Sequence, residues 1–167
     1  MLQYMKNIIG IIPARSGSKG VKNKMIKDFS GKPLISWTIK AALKSKLLNK
    51  VIVDTNCKEI AGIAKKYGAE VPYLRPQELA QPETSMDEVL INAINVCENE
   101  LNHRIDALVL LLPTNPMRNA TLIDSCIEQY MESKADCVFT VHESPAHYTP
   151  YWTIIKPSGE PVSLFGG

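Results

Sequence analysis

A short basic loop near the start of the chain combines the residue types that bind phosphate groups. It reads Pro-Ala-Arg-Ser-Gly-Ser-Lys-Gly at residues 13–20 and directly follows an apolar, β-branched run. Its glycines let the backbone turn so that successive N–H groups converge on an anion. Arg15 adds a planar fork for phosphate oxygens, and Lys19 adds a point charge. The spacing is neither that of a P-loop nor G-x-G-x-x-G. We therefore predict an anion site of another kind, with a solvated basic loop as the alternative.

A second polar loop, Leu-Leu-Pro-Thr-Asn-Pro-Met-Arg at residues 111–118, follows another apolar run. Its two prolines restrict the backbone, and Thr114, Asn115 and Arg118 supply polar groups. It is either part of a ligand site or a rigid connector between a strand and a helix.

A third segment, Leu-Arg-Pro-Gln-Glu-Leu-Ala at residues 74–80, places an arginine before a proline. A residue in that position favours extended backbone, so Arg75 is predicted to present its fork to a base or a carboxylate. The alternative is a surface arginine paired with Glu78.

The elements that must position these segments alternate along the chain. Apolar runs typical of buried strands and amphipathic patterns typical of helices follow one another. Strands are predicted at 7–13, 50–55, 69–74, 105–112 and 136–141, and helices at 33–43, 58–67, 85–100 and 121–133. This order predicts one α/β domain over residues 1–167, with a Rossmann-like, mainly parallel sheet and flanking helices. Ligands bind such sheets at the carboxyl ends of the strands, so we expect chemistry just after Pro13, Thr55, Leu74, Pro113 and Val141.

Composition and charge favour some classes of function and exclude others. Residues 1–50 hold 11 of the 19 basic residues and one of the 17 acidic ones, a net charge of +10, whereas the remainder is −8. Such a field favours an anionic ligand. We expect no nucleic-acid partner, because no aromatic stacking platform is interleaved with the basic residues. No apolar run approaches the roughly 20 residues of a membrane span. The four cysteines form no C-x-x-C pair, so we predict free thiols in a reducing cytoplasm rather than zinc or disulfides.

Four motifs together resemble one family. ARSGSKG at 14–20, GKPL at 31–34, LRPQELA at 74–80 and LLLPTNPMR at 110–118 are similar to motifs of the CMP-sialic acid synthetases. These acylneuraminate cytidylyltransferases include enzymes for legionaminic and pseudaminic acid. The resemblance covers essentially the whole chain, in order and with near-constant spacing.

The resemblance implies a nucleotide-diphospho-sugar transferase fold. It also implies transfer of CMP from CTP to the anomeric hydroxyl of a nine-carbon 2-keto sugar acid, with release of pyrophosphate and with Mg²⁺ as cofactor. It assigns catalysis to Arg15 and Lys19, and the sugar site to Arg118 and His147. The nucleotide-binding positions that it implies are Ala14, Ser16, Gly17, Ser18, Gly20, Lys24, Arg75, Ser85, Pro113 and Thr114.

Several positions depart from the family pattern. Met25 stands where an asparagine is usual, Leu112 where a glutamine is usual, and Pro82 where an acid is usual. The usual VSTD is Val-Asp-Thr-Asn at 53–56; because strand side chains alternate, we expect the carboxylate of Asp54 to reach the same space as position 56.

The resemblance also implies a further C-terminal segment that forms the homodimer and carries late aspartates for the metal. Since the sequence shows no such segment, we expect either a fragment of a longer protein or a shortened form without those metal ligands. The metal ligands in this chain are therefore unknown, and a homodimer is expected only if that segment exists. Two alternatives stay open. One is a relative with altered nucleotide or sugar specificity, in which Leu112 and Met25 are the changed base and ribose contacts. The other is an inactive binding or assembly subunit.

Overall fold

A three-stranded parallel sheet forms the centre of the protein in the computed structural model. The structure describes residues 7–17, 20–100, 102, 104–133, 135–141, 154–155 and 162–163. Strand β1 (Ile8–Pro13) lies between β4 (Lys50–Asp54) and β5 (Ala107–Leu110), and both pairings are parallel. The other described strands form two short antiparallel pairs: β2 (Asp28–Phe29) with β3 (Lys32–Pro33), and β6 (Ile154–Ile155) with β7 (Val162–Ser163). The predicted α/β class with a mainly parallel sheet is confirmed.

Within the described residues, four helices cover the two faces of this sheet. They are α1 (Leu34–Leu43), α2 (Lys58–Lys66), α3 (Met86–Asn95) and α4 (Ala120–Glu132). A single π-helical turn at Val96–Glu100 extends α3. Short 3₁₀ turns lie at Lys24–Ile26 and Gln77–Ala80. The four predicted helices are all present, with ends that agree within a few residues.

Alternating side chains on β1 divide the core into two layers. Ile8 and Ile12 pack with apolar residues of α1, α2 and α4, whereas Ile9 and Ile11 pack with Ala93 and Cys97 on the α3 side. A strand buried on both faces requires this continuous apolar composition. The three-layer arrangement holds the carboxyl ends of β1, β4 and β5 at one edge.

The predicted strand at 69–74 is reduced to one bridge. Glu70 exchanges hydrogen bonds with β4, donating to the Val51 carbonyl and accepting from the Val53 N–H, both at 2.9 Å. Pro72 stands two residues later, where the next donor of a parallel ladder would be needed, and proline has no N–H. The pairing therefore stops there.

The predicted strand at 136–141 is also wrong, because residues 135–141 have no regular secondary structure. Phe139 and Val141 are exposed. A strand forms only where a neighbour satisfies its backbone groups, and a local sequence pattern does not report whether that neighbour exists.

Asp124 links α4 to the turn between α1 and β4. Its carboxylate accepts hydrogen bonds from the Ser45 hydroxyl and from the main-chain N–H groups of Lys46 and Leu47. Burial alone would raise the pKa of Asp124, but these hydrogen bonds outweigh it and lower the pKa. Asp124 therefore has a structural role at this turn.

Candidate active site

The loops predicted to bind ligand meet at one edge of the sheet. The Ala14 N–H donates to the Asp54 carbonyl at 2.9 Å, which ties the end of β1 to the end of β4. The Leu111 N–H donates to the Ile11 carbonyl at 2.9 Å, which ties the end of β5 to β1. The Arg75 N–H donates to the Thr55 carbonyl at 2.8 Å. The forecast that the segments after these strands share an edge is therefore confirmed for three of them, with 74–80 beside β4.

Ser16 is the anchored residue of the basic loop. Its N–H donates to Asn56 Oδ1 at 2.9 Å, and its hydroxyl oxygen accepts from Asn56 Nδ2 at 2.9 Å. Ala14, two residues earlier, is fully buried. The start of the loop is thus fixed to the core and to the residue that follows β4.

Arg15 extends from the loop toward the turn at Gln77–Ala80. Its Nη1 donates to the Ala80 carbonyl at 3.3 Å and to the Gly17 carbonyl at 3.4 Å. Both bonds are longer than the usual range for an N–H···O contact. Arg15 is half-buried, and the other N–H groups of its guanidinium can donate hydrogen bonds to phosphate oxygens.

Gly17 turns the loop away from the strand. Its φ of +73° lies in the left-handed region, and no other atom lies within 4 Å of where a Cβ would stand. A glycine is therefore needed for conformation and not for space. Gly20 is exposed and has the same open surroundings. Ser18 and Lys19 lie outside the described residues.

Lys24 begins the 3₁₀ turn at Lys24–Ile26 and is half-buried, while the next residue, Met25, is buried in the core. A buried Met25 packs against the hydrophobic interior. This arrangement does not support the hypothesis that Met25 is an altered ribose contact, because an apolar side chain at that position is better accounted for by core packing.

Arg75 and Asp54 form a buried ion pair. Arg75 Nη2 lies 2.7 Å from Asp54 Oδ2, Arg75 Nε donates to the same oxygen at 2.9 Å, and the side chains are 3% and 0% exposed. The alternative of a surface pair between Arg75 and Glu78 is therefore wrong. The expectation that Asp54 reaches the space of position 56 is also wrong. β4 ends at Asp54, so strict alternation does not continue to 56, and Arg75 holds the carboxylate inside.

Burial dominates the ionisation of this cluster. It raises the pKa of Asp54, although the hydrogen bond and the positive charge of Arg75 act in the opposite direction. Burial, followed by the charge of Asp54, raises the pKa of the nearby Tyr73 hydroxyl. Asp54 Oδ1 is buried without a hydrogen bond within 3.5 Å. The pair stabilises the segment that starts at Arg75 and leaves no carboxylate of β4 at the site surface.

Ser85 caps helix α3. Its hydroxyl oxygen accepts from the Glu88 N–H at 3.2 Å, and its own N–H and O–H donate to Glu88 Oε2 at 2.9 Å. The predicted capping box is confirmed. These hydrogen bonds, that of the Ser85 N–H first, lower the pKa of Glu88. The Ser85 hydroxyl is therefore occupied by the cap.

The second loop combines a buried proline with exposed neighbours. Pro113 is fully buried, Thr114 is exposed, and Leu112 is 39% exposed. The Leu112 carbonyl accepts from the Asn115 N–H at 3.2 Å and from Arg118 Nη1 at 3.4 Å. The loop is thus closed on itself by a turn and by its last side chain.

Arg118 borders a large open cavity. The cavity has a volume of about 730 Å³ and lies between β5, α3, α4 and residues 136–140. Its walls are mainly apolar, and burial lowers the pKa of the Arg118 guanidinium. His147, the other residue assigned to the sugar site, lies outside the described residues.

No metal centre is present among the described residues, where no three His, Cys, Asp or Glu side chains are grouped to hold an ion. Asp54 is the acid nearest the basic loop along β4, and it is committed to Arg75. A metal ion held by three or more protein side chains is therefore not supported within these residues. Nor is any helix within the described ranges both long and apolar enough to span a bilayer.

Sequence reasoning missed the residues that hold the basic loop in place. Asn56 and Gln77 were not assigned a role, although Asn56 Nδ2 donates to Ser16 Oγ and to Gln77 Oε1. The available signal was position, since Asn56 comes two residues after the end of β4, where the strand rule places ligand-binding residues.

Comparison with known proteins identifies relatives of this chain. A family model described as cytidylyltransferase matches residues 9–156. The chain is 41% identical over 138 residues to the N-acylneuraminate cytidylyltransferase of Escherichia coli, covering 82% of this chain and 32% of that protein. It is 36% identical to the pseudaminic acid cytidylyltransferase of Campylobacter jejuni, with 83% and 59% covered. It is 35% identical to the CMP-N,N'-diacetyllegionaminic acid synthase of Legionella pneumophila, with 87% and 61% covered.

Solved structures give the same fold at lower identity. A CMP:2-keto-3-deoxy-manno-octonic acid synthetase in complex with CTP matches with a TM-score of 0.62 and 20% identity, over 78% of this chain and 49% of that one. A Mycobacterium tuberculosis protein in complex with manganese matches with a TM-score of 0.53 and 14% identity, over 77% and 62%. The chain spans between about a third and three-fifths of the length of the curated relatives named above. On its sequence and its fold, the chain belongs to the cytidylyltransferase family.

Proposed function

We propose that the protein transfers CMP from CTP to the anomeric hydroxyl of a nine-carbon 2-keto sugar acid and releases pyrophosphate. The observation that supports this most directly is the loop after β1, in which Arg15 and the turn at Gly17 extend from an anchored Ser16. The relatives named for N-acylneuraminate, pseudaminic acid and diacetyllegionaminic acid support the class of acceptor.

The reaction requires stabilisation of negative charge. The anomeric oxygen forms a bond to the α-phosphorus and loses its proton, while the bond from that phosphorus to the bridging oxygen breaks and pyrophosphate leaves. Charge on the phosphate oxygens grows as this happens, so fixed cations at that point stabilise the transition state more than the ground state. We assign this role to Arg15 and Lys19.

We also propose that the nucleotide binds at the edge where the loops meet. We propose that the backbone of the basic loop and Lys24 hold the phosphates, and that Pro113 and Thr114 border the base. The loop positions concerned are Ala14, Ser16, Gly17, Ser18 and Gly20. Since the guanidinium of Arg75 is bound to Asp54 and the Ser85 hydroxyl caps α3, these two act by fixing the segment beside the nucleotide.

The sugar acid carries a carboxylate, and Arg118 is the cation that we assign to it. Its half-buried guanidinium lies at the rim of the cavity beside β5, where a partly desolvated charge pairs strongly with an anion. We assign His147 to the same subsite.

We propose Mg²⁺ as the cofactor, brought in with the phosphates of CTP, because the ion is commonly held by substrate phosphates plus one or two carboxylates. The described residues hold no group of three metal-binding side chains, and no protein ligand and no step is assigned to the ion. The cytoplasmic location and the homodimer stay predictions.

A change of nucleotide specificity is the second candidate function. Leu112, at the start of the second loop, is 39% exposed and its side chain offers no hydrogen bond. A base-contacting amide is therefore missing where the family pattern has one. A preference for ATP, GTP or UTP over CTP would support this candidate.

The test of the proposed function is pyrophosphate release from CTP and each candidate keto acid by the purified chain with Mg²⁺. Arg15→Ala is expected to lower kcat by about a hundredfold, which is typical for loss of one charge-stabilising donor. Lys46→Ala, which removes an exposed lysine at the turn between α1 and β4, is the matched control and is expected to have little effect. Equal loss in both variants, or release that is independent of the keto acid, would contradict the assignment.

A further inference from the structure

Asn56 joins three segments of the candidate site. It accepts from the Ser16 N–H at 2.9 Å and donates to Ser16 Oγ at 2.9 Å and to Gln77 Oε1 at 3.0 Å. These partners come from the loop after β1 and from the 3₁₀ turn at Gln77–Ala80, whereas Asn56 itself follows β4. One side chain therefore connects all three.

The chemistry of an amide fits these partners. The Ser16 N–H requires an acceptor, which directs Oδ1 toward the loop backbone. Nδ2 then faces two oxygens, and an amide nitrogen has two hydrogens to donate. All three bonds lie in the normal range for N–H···O contacts. The side chain is half-buried, so a partner lost here is only partly replaced by water.

The consequence for the loop depends on its neighbours. Ser16 stands between Arg15, whose guanidinium is held only by the two long bonds described above, and Gly17, whose φ of +73° turns the chain. Fixing Ser16 on both its N–H and its hydroxyl sets the direction from which Arg15 leaves the backbone and the direction in which the chain enters the turn at Gly17.

We propose that Asn56 is a positioning residue for the phosphate-binding loop, acting through Ser16 and without contact to the nucleotide. This inference rests on the proposed function, since it deepens the role of the same loop. It predicts an effect that is specific for phosphate: ligands that carry a phosphate chain depend on Asn56, and the nucleoside alone does not. Preorganisation of this kind improves affinity because the ligand no longer has to order the loop.

The experiment measures binding of CTP, inorganic pyrophosphate and cytidine by calorimetry, with the full 167-residue chain. Asn56→Ala removes all three hydrogen bonds and is expected to weaken both CTP and pyrophosphate binding about tenfold, from one to two net hydrogen bonds. Cytidine binding is expected to stay unchanged. Gln77→Ala removes only the outer bond and is the matched variant, with an expected loss of about two- to threefold.

Each outcome decides the matter. Equal pyrophosphate affinity in wild type and Asn56→Ala would overturn the inference, as would an equal loss for cytidine, which would indicate damage to the whole fold. If the wild-type chain binds pyrophosphate but not CTP, the proposed function falls, and the pyrophosphate ratio still decides the role of Asn56. If it binds neither ligand, both proposals fall.

Discussion

The two loops at the ligand edge are held in different ways. Residues 14–17 are bonded to the Asp54 carbonyl, the Asn56 amide and the Ala80 carbonyl, all from other segments. In the described part of the chain, the second loop has its long-range main-chain hydrogen bond at Leu111. The hydrogen bonds of residues 112–118 there are local: Asn115 to Leu112, and Arg118 to Leu112 and Asn115.

This difference indicates what each loop can do. A loop bonded to several segments keeps one arrangement of N–H groups, which suits a ligand of fixed geometry such as a phosphate chain. The prolines of the second loop restrict its backbone. Its exposed side chains are not bonded to other segments, so they can be substituted without a change of the backbone conformation. The first loop is therefore expected to tolerate change poorly, and the second to be the place where relatives change specificity.

The largest expected effect comes from the buried pair under the first loop. Asp54→Ala removes the carboxylate that neutralises the buried charge of Arg75 and leaves it the main-chain carbonyl of residue 54 as an acceptor. Loss of the charged partner of a buried ion pair typically costs about 3–5 kcal/mol. The free energy of unfolding in urea measures this loss. Glu70→Ala is the control, because it breaks the pair of Lys50 with Glu70, whose side chains are 31% and 49% exposed, and exposed pairs contribute at most about 1 kcal/mol. Similar losses in both variants would mean that Asp54 does not stabilise this edge.

The next effect concerns backbone conformation in the first loop. Gly17→Ala places a Cβ at a φ of +73°, where an L-residue is strained by about 1–2 kcal/mol. Gly20→Ala adds the same methyl group in open surroundings without a positive φ and is expected to be nearly neutral. Unfolding in urea separates the two. A neutral Gly17→Ala would show that the loop is not fixed in this conformation.

A smaller effect is expected in the second loop. Leu112→Gln supplies the amide that the family pattern has at this position, and one hydrogen bond is worth about two- to tenfold in CTP affinity. Pyrophosphate affinity is expected to stay unchanged, because the first loop is untouched. Met117→Gln, at a side chain that is 82% exposed, is the control. A higher affinity for pyrophosphate as well as for CTP would mean that the two loops do not bind separate parts of the nucleotide.

The smallest effect is a dependence on pH outside both loops. Ser85 lowers the pKa of Glu88 in the folded state, so the cap contributes stability above the unfolded pKa of about 4.3. That contribution is lost as the pH falls through the lower, folded pKa. The free energy of unfolding measured from pH 6 to pH 3 is expected to fall more for wild type than for Glu88→Gln. Identical slopes for the two proteins would mean that the charge of Glu88 does not contribute to the free energy of unfolding.

The sequence predicted the elements with strong local patterns. The buried strand at Ile8–Pro13 and the capping box at Ser85 were predicted because apolar runs and capping residues act within a few positions. The strand at 136–141 failed because pairing needs a distant partner, and the one at 69–74 failed because Pro72 cannot donate.

The site was predictable as a set of loops but not as a set of contacts. The positions of residues 14–17 and 111–118 at one edge follow from the parallel order of the strands. The pairing of Asp54 with Arg75 and of Asn56 with Ser16 joins residues 21 and 40 positions apart. Local periodicity does not encode such pairs, so alternation along β4 gave the wrong direction for Asp54.

Binding of CTP at this edge can be measured through the melting temperature of the chain with Mg²⁺ and each of CTP, GTP, ATP and UTP. A ligand present at a hundred times its dissociation constant stabilises a protein by about 2.7 kcal/mol, which is a readable shift. A shift with CTP that exceeds those with the other three nucleotides is the predicted result. No shift with any of the four nucleotides would contradict binding of CTP at this edge.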